Sequence, residues 1–429
     1  MDMSMDRAAC AAVDRAACAA LDRAACAALD RDDPLAAFRE EFDLPEGVIY
    51  LDGNSLGALP KAVRSRLGDV VAREWGADLI RSWNTAGWIT LPQRVGARIA
   101  SIIGAGADEV IAADSTSVNL FKLVTAALAA RPGRRVIVTE PGNFPTDLYI
   151  LQGVRDLLGD RAELRVMEPG GLEDAIDGDT ALLLLTQVHY KTGRIHDMGR
   201  LTATAQAAGA LTLWDLSHSA GAIDVDLNGA NADLAVGCGY KYLNGGPGAP
   251  AFLFVARRHQ ALLRSPLSGW MGHAAPFEFS DAYAPAPGID RMLCGTPSIL
   301  GLSALEMGVD IMARADRRAV RAKSMALGDL FIRLVEQECP GQFILRSPRD
   351  ARERGSQVSF GHADGYAIMQ ALIDRGVIGD FRAPDVMRFG FAPLYVRHVD
   401  VFDAVATLKD IMDSGAWRGA AYQTRGAVT

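Results

Sequence analysis

The sequence predicts an α/β protein: a large domain on a mostly parallel sheet, followed by a smaller C-terminal α+β domain. Three observations lead there. Short apolar runs alternate with helical patterns through the middle of the chain. One of these runs, Leu211-Thr-Leu-Trp-Asp215, ends on a carboxylate. The last ~125 residues, from about Ala304, are more charged and read as a separate, smaller unit.

Residues 6–29 are three copies of an eight-residue unit, Asp-Arg-Ala-Ala-Cys-Ala-Ala-(Val/Leu). The composition favours helix. Eight residues advance a helix by about 80° beyond two turns, so Cys10, Cys18 and Cys26 drift around the axis rather than lining one face. Residues 1–33 are therefore expected to lie outside the catalytic body. Residues 34–75 hold a short strand, Val48-Ile-Tyr-Leu-Asp52, and a turn, Gly53-Asn-Ser-Leu-Gly57. They are expected to pack on the small domain and the active site. Residues 76–303 form the large domain, with strands at 135–139, 164–167, 181–186, 211–214, 234–237 and 252–255. Helices are expected at 117–130, 146–158 and 198–208. Short apolar strands between helices belong to parallel sheets covered on both faces. Residues 304–429 form the small domain.

The chain has 429 residues, enough for two domains, with 49% hydrophobic and 22% charged residues and a net charge of −8. That balance gives no basic face for nucleic acid. No apolar run approaches the ~18 residues of a membrane span. Asp-Arg pairs interrupt the N-terminal apolar patches, so no secretory signal is read there. Six cysteines without a CxxC pair suggest a reduced, cytoplasmic protein without a metal site.

Ligands of such sheets bind beyond the carboxyl ends of strands, where Asp215 lies. Lys241 follows 26 residues later in Gly239-Tyr-Lys-Tyr-Leu-Asn-Gly-Gly-Pro-Gly248. Few charges surround it, which favours a usable amine over a surface role. A lysine that forms a Schiff base and a carboxylate that keeps a pyridine nitrogen protonated are what pyridoxal 5'-phosphate requires. His218, three residues after Asp215, faces the ring or phosphate, or is a satisfied core histidine. Asp114-Ser-Thr-Ser117 precedes a helix and serves as a plain N-cap, a phosphate cradle, or both. Phe144 is suited to stack on a ring and Asp147 to bond its edge. Arg388 is a lone cation in Val386-Met-Arg-Phe-Gly-Phe-Ala-Pro-Leu394. It wants a carboxylate, from an amino-acid substrate or from an internal salt bridge.

Together these motifs resemble the kynureninase family. The resemblance runs from about Tyr50 to Leu408 through Leu51-Asp-Gly-Asn-Ser-Leu-Gly57, Asp114-Ser-Thr-Ser-Val-Asn-Leu120, Asn143-Phe-Pro-Thr-Asp147 and Val188-His-Tyr190. It continues through Trp214-Asp-Leu-Ser-His-Ser-Ala-Gly221, Gly239-Tyr-Lys-Tyr-Leu-Asn244, Gly269-Trp-Met-Gly-His273 and Arg388-Phe-Gly-Phe-Ala-Pro-Leu-Tyr395. The repeat has no counterpart in the family.

The resemblance implies a fold-type I enzyme, its large domain on a mostly parallel sheet of the seven-stranded type, that hydrolyses L-kynurenine, or its 3-hydroxy form, in tryptophan catabolism and NAD biosynthesis. It implies that Lys241 binds the cofactor aldehyde, Asp215 the pyridine nitrogen and Phe144 the ring face. Thr116, Ser117, Asp147, Thr186, His218 and Tyr240 would complete the shell, with Tyr240 also a proton donor. Trp270 and Thr296 would reach the phosphate of a neighbouring subunit, giving a homodimer with shared active sites. Arg388 would hold the substrate carboxylate, with Ser55 and Asn54 nearby.

The alternative is a cysteine desulfurase-like lyase with the same Asp-to-Lys spacing. Such enzymes usually carry histidine where this chain has Tyr240, and they need a mobile cysteine, for which only Cys294 and Cys339 lie downstream. No GxGxxG follows a strand, which argues against a dinucleotide enzyme.

Overall fold

The computed structural model describes residues 22–426. The chain divides into two compact units. The larger comprises Leu59–Tyr190 and Ile195–Arg314; the smaller comprises the chain up to Ala58, Lys191–Arg194 and the chain from Ala315 on.

The larger unit is built on seven strands: β1 (Val110–Ala112), β2 (Val136–Thr139), β3 (Glu163–Val166), β4 (Thr180–Thr186), β5 (Leu211–Asp215), β6 (Leu234–Gly237) and β7 (Phe252–Val255). Their spatial order is β1-β7-β6-β5-β4-β2-β3. Neighbours pair in parallel except β7, which runs antiparallel to both β6 and β1. Every residue of β1, β2 and β4 to β7 is buried, as expected of strands covered on both faces. The helices Thr116–Ala129 and Pro145–Leu158 pack against each other on this sheet. Observed strands fall within a residue of the expected ones. β1 was not foreseen, because three apolar residues after Glu109 give too short a signal.

The domain boundary expected near Ala304 falls instead after Arg314. Residues 304–314 continue the helix Ile299–Arg314, whose buried face packs against the helix Leu91–Ile102 of the same unit. Residues 59–75 likewise belong to the larger unit.

The smaller unit carries an antiparallel sheet of β8 (Ile344–Leu345), β9 (Gln357–Gly361), β10 (Asp380–Arg382) and β11 (Val386–Gly390), in the order β8-β9-β11-β10. Phe331 packs its ring against Phe360, Phe389 and Phe391 beneath it. Ile49–Tyr50 pairs in parallel with Val377–Ile378. This pairing brings the Asp52–Gly57 turn to β11, where Gly390 N–H donates to Leu51 O at 2.7 Å. No described helix is long and apolar enough to cross a membrane.

The third repeat copy is part of this unit, which corrects the expectation that residues up to 33 lie outside the body. It forms the helix Arg23–Arg31, capped by Asp22 and buried through Cys26. Arg23 binds Asp403 through two bonds of 2.8 and 2.9 Å. Asp30 accepts from the backbone N–H groups of His398 (2.7 Å) and Val399 (3.0 Å) and lies 2.9 Å from His398 Nδ1. Asp33 pairs with the buried Lys323 at 2.7 Å. The drift argument failed here because a single copy, nine residues of helix, needs no repeating face. The first two copies, with Cys10 and Cys18, lie outside the described residues.

Asp30 caps the helix His398–Ser414 from another segment of the chain. Burial opposes its charge, but the His398 ring and the two amides outweigh this and hold its carboxyl below the usual range. Asp30→Ala is expected to lower the unfolding free energy by about 1–2 kcal/mol at pH 7 in urea titrations. Because the folded value is depressed, the deficit should shrink as pH falls below about 4.

Candidate active site

The site is assembled at the carboxyl ends of β4 and β5, where Thr186 and Asp215 stand side by side in register. Asp215 is 2% exposed and accepts from the Ser217 N–H at 2.7 Å. Asp147, fully buried in the first turn of Pro145–Leu158, accepts from Thr186 Oγ1 at 3.2 Å, and its Oδ1 has no hydrogen-bond partner. Asn143 fixes the turn before it. Its Oδ1 accepts from Thr186 N–H (3.0 Å) and its Nδ2 donates to Thr139 Oγ1 (2.9 Å).

Lys241 rides on the loop after β6. Gly245 N–H closes that loop on Gly239 O at 2.9 Å. Side chains could not replace these two glycines. A Cβ on Gly239 would meet Pro250 O at 2.3 Å, and one on Gly245 would meet Leu305 at 2.6 Å. The loop thus seats a largely buried amine 2.9 Å from His218 Nε2 and 5.5 Å from the Phe144 ring centre. Phe144 is itself braced edge-on by Tyr190 at 5.3 Å.

Two carboxylates in contact inside the protein cannot both stay charged. Burial, then the adjacent Asp215, pushes Asp147 well above the usual carboxylate range. Burial also raises Asp215, while the Ser217 amide and Lys241 restrain it. Asp147 is the member that holds the proton. Burial likewise raises Tyr240, which keeps its phenol proton at neutral pH.

Thr116, Ser117, Phe144, Asp147, Asp215, His218, Tyr240 and Lys241 line one cavity of about 190 Å³. Three further expected site positions of this unit lie elsewhere. Thr186 sits behind Asp147. Thr296 is exposed and lines an adjoining cavity of about 210 Å³ that shares Asp114 and Gly248 with the first. Trp270 lines neither; it is partly exposed and packs edge-on against Phe277 at 5.7 Å. A larger cavity of about 510 Å³ beside Arg161, Arg264 and Arg291 offers neither lysine nor carboxylate.

Arg388, Ser55 and Asn54 belong to the smaller unit. Arg388 faces Asp380 directly across the β10–β11 register. Its Nε donates to Asp380 Oδ1 at 2.6 Å, and its Nη2 binds Asp380 Oδ2 and Ser55 Oγ, the latter at 3.0 Å. The internal salt bridge considered from sequence is therefore present. Asp380 was missed, although a cross-strand partner eight residues away in a hairpin was a readable signal. Asn54 is fully buried with neither side-chain polar atom hydrogen-bonded.

The cavity fits a phosphorylated pyridine aldehyde. It offers an amine, a carboxylate for a ring nitrogen, an aromatic face, an unpartnered buried oxygen on Asp147, and the N-terminus of the helix Thr116–Ala129 for an anion. Fold and site together define a fold-type I PLP-dependent enzyme.

Solved structures share the fold. Cysteine desulfurases from Thermococcus onnurineus NA1 and Escherichia coli superpose with TM-scores of 0.74 and 0.73 at 21% and 19% identity. They cover 88% and 89% of this chain and 98% of theirs. A C-DES structure with glycine covalently linked to the PLP-cofactor gives 0.75 at 15% identity, over 87% of this chain and 99% of its own.

Sequence comparison goes further. The profile of the Kynureninase C-terminal domain matches residues 320–408. Proteins named kynureninase from Burkholderia mallei and Pseudomonas fluorescens are 57% and 54% identical, over 93% and 92% of this chain and 97% of theirs. The chain belongs to the kynureninase family.

With the cofactor absent, the fold keeps Asp147 protonated while the unfolded chain releases that proton, so this residue destabilises the protein increasingly as pH rises above about 4. Cofactor-free Asp147→Asn should therefore melt at or above the wild-type temperature at pH 8. That advantage should vanish towards pH 4 in scanning calorimetry.

Proposed function

We propose that this enzyme hydrolyses L-kynurenine, or its 3-hydroxy form, to anthranilate or 3-hydroxyanthranilate and L-alanine, by adding water across the Cβ–Cγ bond. The observation that carries the reading is the buried Lys241 amine, set between His218 and the Phe144 face beside two buried carboxylates. The chain bearing it is 54–57% identical to named kynureninases.

Pyridoxal phosphate, when bound, supplies an electron sink for negative charge at Cα and Cβ. Asp215 holds the ring nitrogen positive; an ion pair at contact distance is worth ~4 kcal/mol at an effective dielectric near 20. Lys241 Nζ takes the proton from Cα, and the His218 ring fixes where that amine points. Tyr240, which keeps its phenol proton, delivers a proton to Cβ after cleavage. Thr116 and Ser117 hold the phosphate with the helix amides behind them. Asp147 bonds the ring edge and Thr186 keeps it in place. Arg388, its plane set by Asp380, holds the α-carboxylate, with Ser55 and Asn54 beside it.

We place the enzyme in the cytoplasm as a homodimer, with Trp270 and Thr296 meeting the phosphate of the second subunit. Exposed apolar side chains support a second copy. Phe277 and Phe279 are 58% and 76% exposed next to Trp270, more than an isolated surface favours.

The desulfurase reading has only a distant likeness of fold behind it, at 19–21% identity. Cys339 is buried and pushed up to about 11 by that burial, and Cys294 is tucked against Asp114.

Mixing cofactor-loaded protein with L-kynurenine should produce anthranilate fluorescence. Lys241→Ala should lower the rate by roughly 10³-fold or more, and retained activity in that variant would refute the mechanism. Arg388→Gln is expected to raise KM by roughly 100-fold, the scale of a lost buried charge-assisted pair. Sedimentation should report a dimer.

A further inference from the structure

Asp114 poses an electrostatic problem. It lines the cavity beside Thr116 and Ser117, and that lining carries three aspartates, Asp114, Asp147 and Asp215, against one lysine. A phosphate monoester brings roughly −1.5 to −2 charge at neutral pH, so a carboxylate at its cradle opposes binding. The backbone explains part of the choice. Asp114 has a φ of 52°, a left-handed conformation that aspartate and asparagine tolerate best among the non-glycine residues. Its C=O accepts from the Ala251 N–H at 2.9 Å, which joins the end of β1 to the residue before β7. Asparagine would serve that backbone equally well, so the charge needs another reason.

Lys122 supplies it. This residue lies in the second turn of the helix Thr116–Ala129 and is fully buried. Helical side chains lean towards the N-terminus. The Lys122 ammonium accordingly reaches back to Asp114 Oδ2, and it also donates to Met292 O at 2.6 Å. Met292 directly precedes the segment 293–298 that lines the adjoining cavity. Cys294 Sγ of that segment lies 3.9 Å from the same Asp114 oxygen. Lys122 itself lines neither cavity. It is placed as a counter-ion to Asp114 rather than as a ligand.

We propose that Lys122 is a positioning residue for the cofactor phosphate. It cancels the Asp114 charge from behind the cradle and, through Met292, pins the start of this helix to the segment 293–298. This rests on the reading that Thr116 and Ser117 hold the phosphate. The pair acts as a neutral brace. Loss of Lys122 alone leaves a carboxylate facing the phosphate. Loss of both charges leaves the cradle as neutral as before.

The test removes the cofactor from the purified holoenzyme by dialysis and returns it as graded pyridoxal 5'-phosphate. Pyridoxal, which has the ring and aldehyde but no phosphate, is titrated in parallel. The absorbance of the lysine-bound aldehyde gives each Kd. Lys122→Met, of similar length without charge, should raise the Kd of pyridoxal phosphate roughly tenfold or more and that of pyridoxal less than about twofold, as one uncancelled charge near an anion requires. The double variant Asp114→Asn with Lys122→Met should return the pyridoxal phosphate Kd to within about threefold of wild type, the non-additivity expected of a coupled pair.

An unchanged pyridoxal phosphate Kd in Lys122→Met overturns the proposal. A loss shared equally by pyridoxal also overturns it, since that marks a general loosening of the fold. A double variant as weak as Lys122→Met is equally fatal, because charge cancellation would then not be what the lysine provides. Should Lys122→Met fail to fold, Asp114→Asn decides. It frees the lysine charge, so it should bind pyridoxal phosphate more tightly than wild type and pyridoxal equally well; no gain refutes the idea. Thr116→Ala combined with Ser117→Ala separates the two levels. If that pair leaves the pyridoxal phosphate Kd unchanged, the cradle reading itself is wrong. If it raises that Kd while Lys122→Met does not, only the role of Lys122 fails.

Discussion

The contact between Asp147 and Asp215 is the constraint around which the larger unit is organised. Two buried carboxylates are unfavourable for the fold alone, since each loses hydration and each repels the other. The protein keeps them with a few fixed donors: the Ser217 amide, the Thr186 hydroxyl and the Lys241 amine nearby. Everything that holds those donors follows from the sheet. Parallel strands β4 and β5 end in register, which sets Thr186 beside Asp215. β6 ends one strand over and launches the loop of Lys241. The Asp215 carboxylate is thus held in one place by the fold itself.

The smaller unit solves the opposite problem. Arg388 is 2% exposed and would be prohibitively unfavourable alone. Asp380 across the hairpin satisfies it in two-pronged geometry, which also fixes the guanidinium plane. The result is an arginine whose direction is set by the backbone register of β10 and β11 rather than by its own flexible stem.

Much of this was legible in the sequence. The strands gave themselves away because a parallel sheet covered on both faces leaves unbroken apolar runs such as Leu182-Leu-Leu-Leu185, ending where chemistry begins. Asp215 and Lys241 stood out for the same reason, as charges in uncharged surroundings. What stayed hidden depends on pairings between distant segments. Nothing local to Asp380 ties it to Arg388, or to the Ser55 hydroxyl 325 residues away. The role of the third repeat copy was also hidden, because its partners Asp403 and His398 lie more than 360 residues away. Period arguments address repeating surfaces, and this helix uses its face only once.

That docked helix bears on how the gene can vary. Each eight-residue unit carries an arginine and a cysteine, and an aspartate stands directly after its last residue. These are the residue types with which Arg23, Cys26 and Asp30 fasten the helix to His398–Ser414. Any number of copies therefore leaves a complete fastening sequence next to Asp33. Gain or loss of whole units by slippage at the 5' end of the reading frame would thus leave the same residue types in place to fasten the last copy.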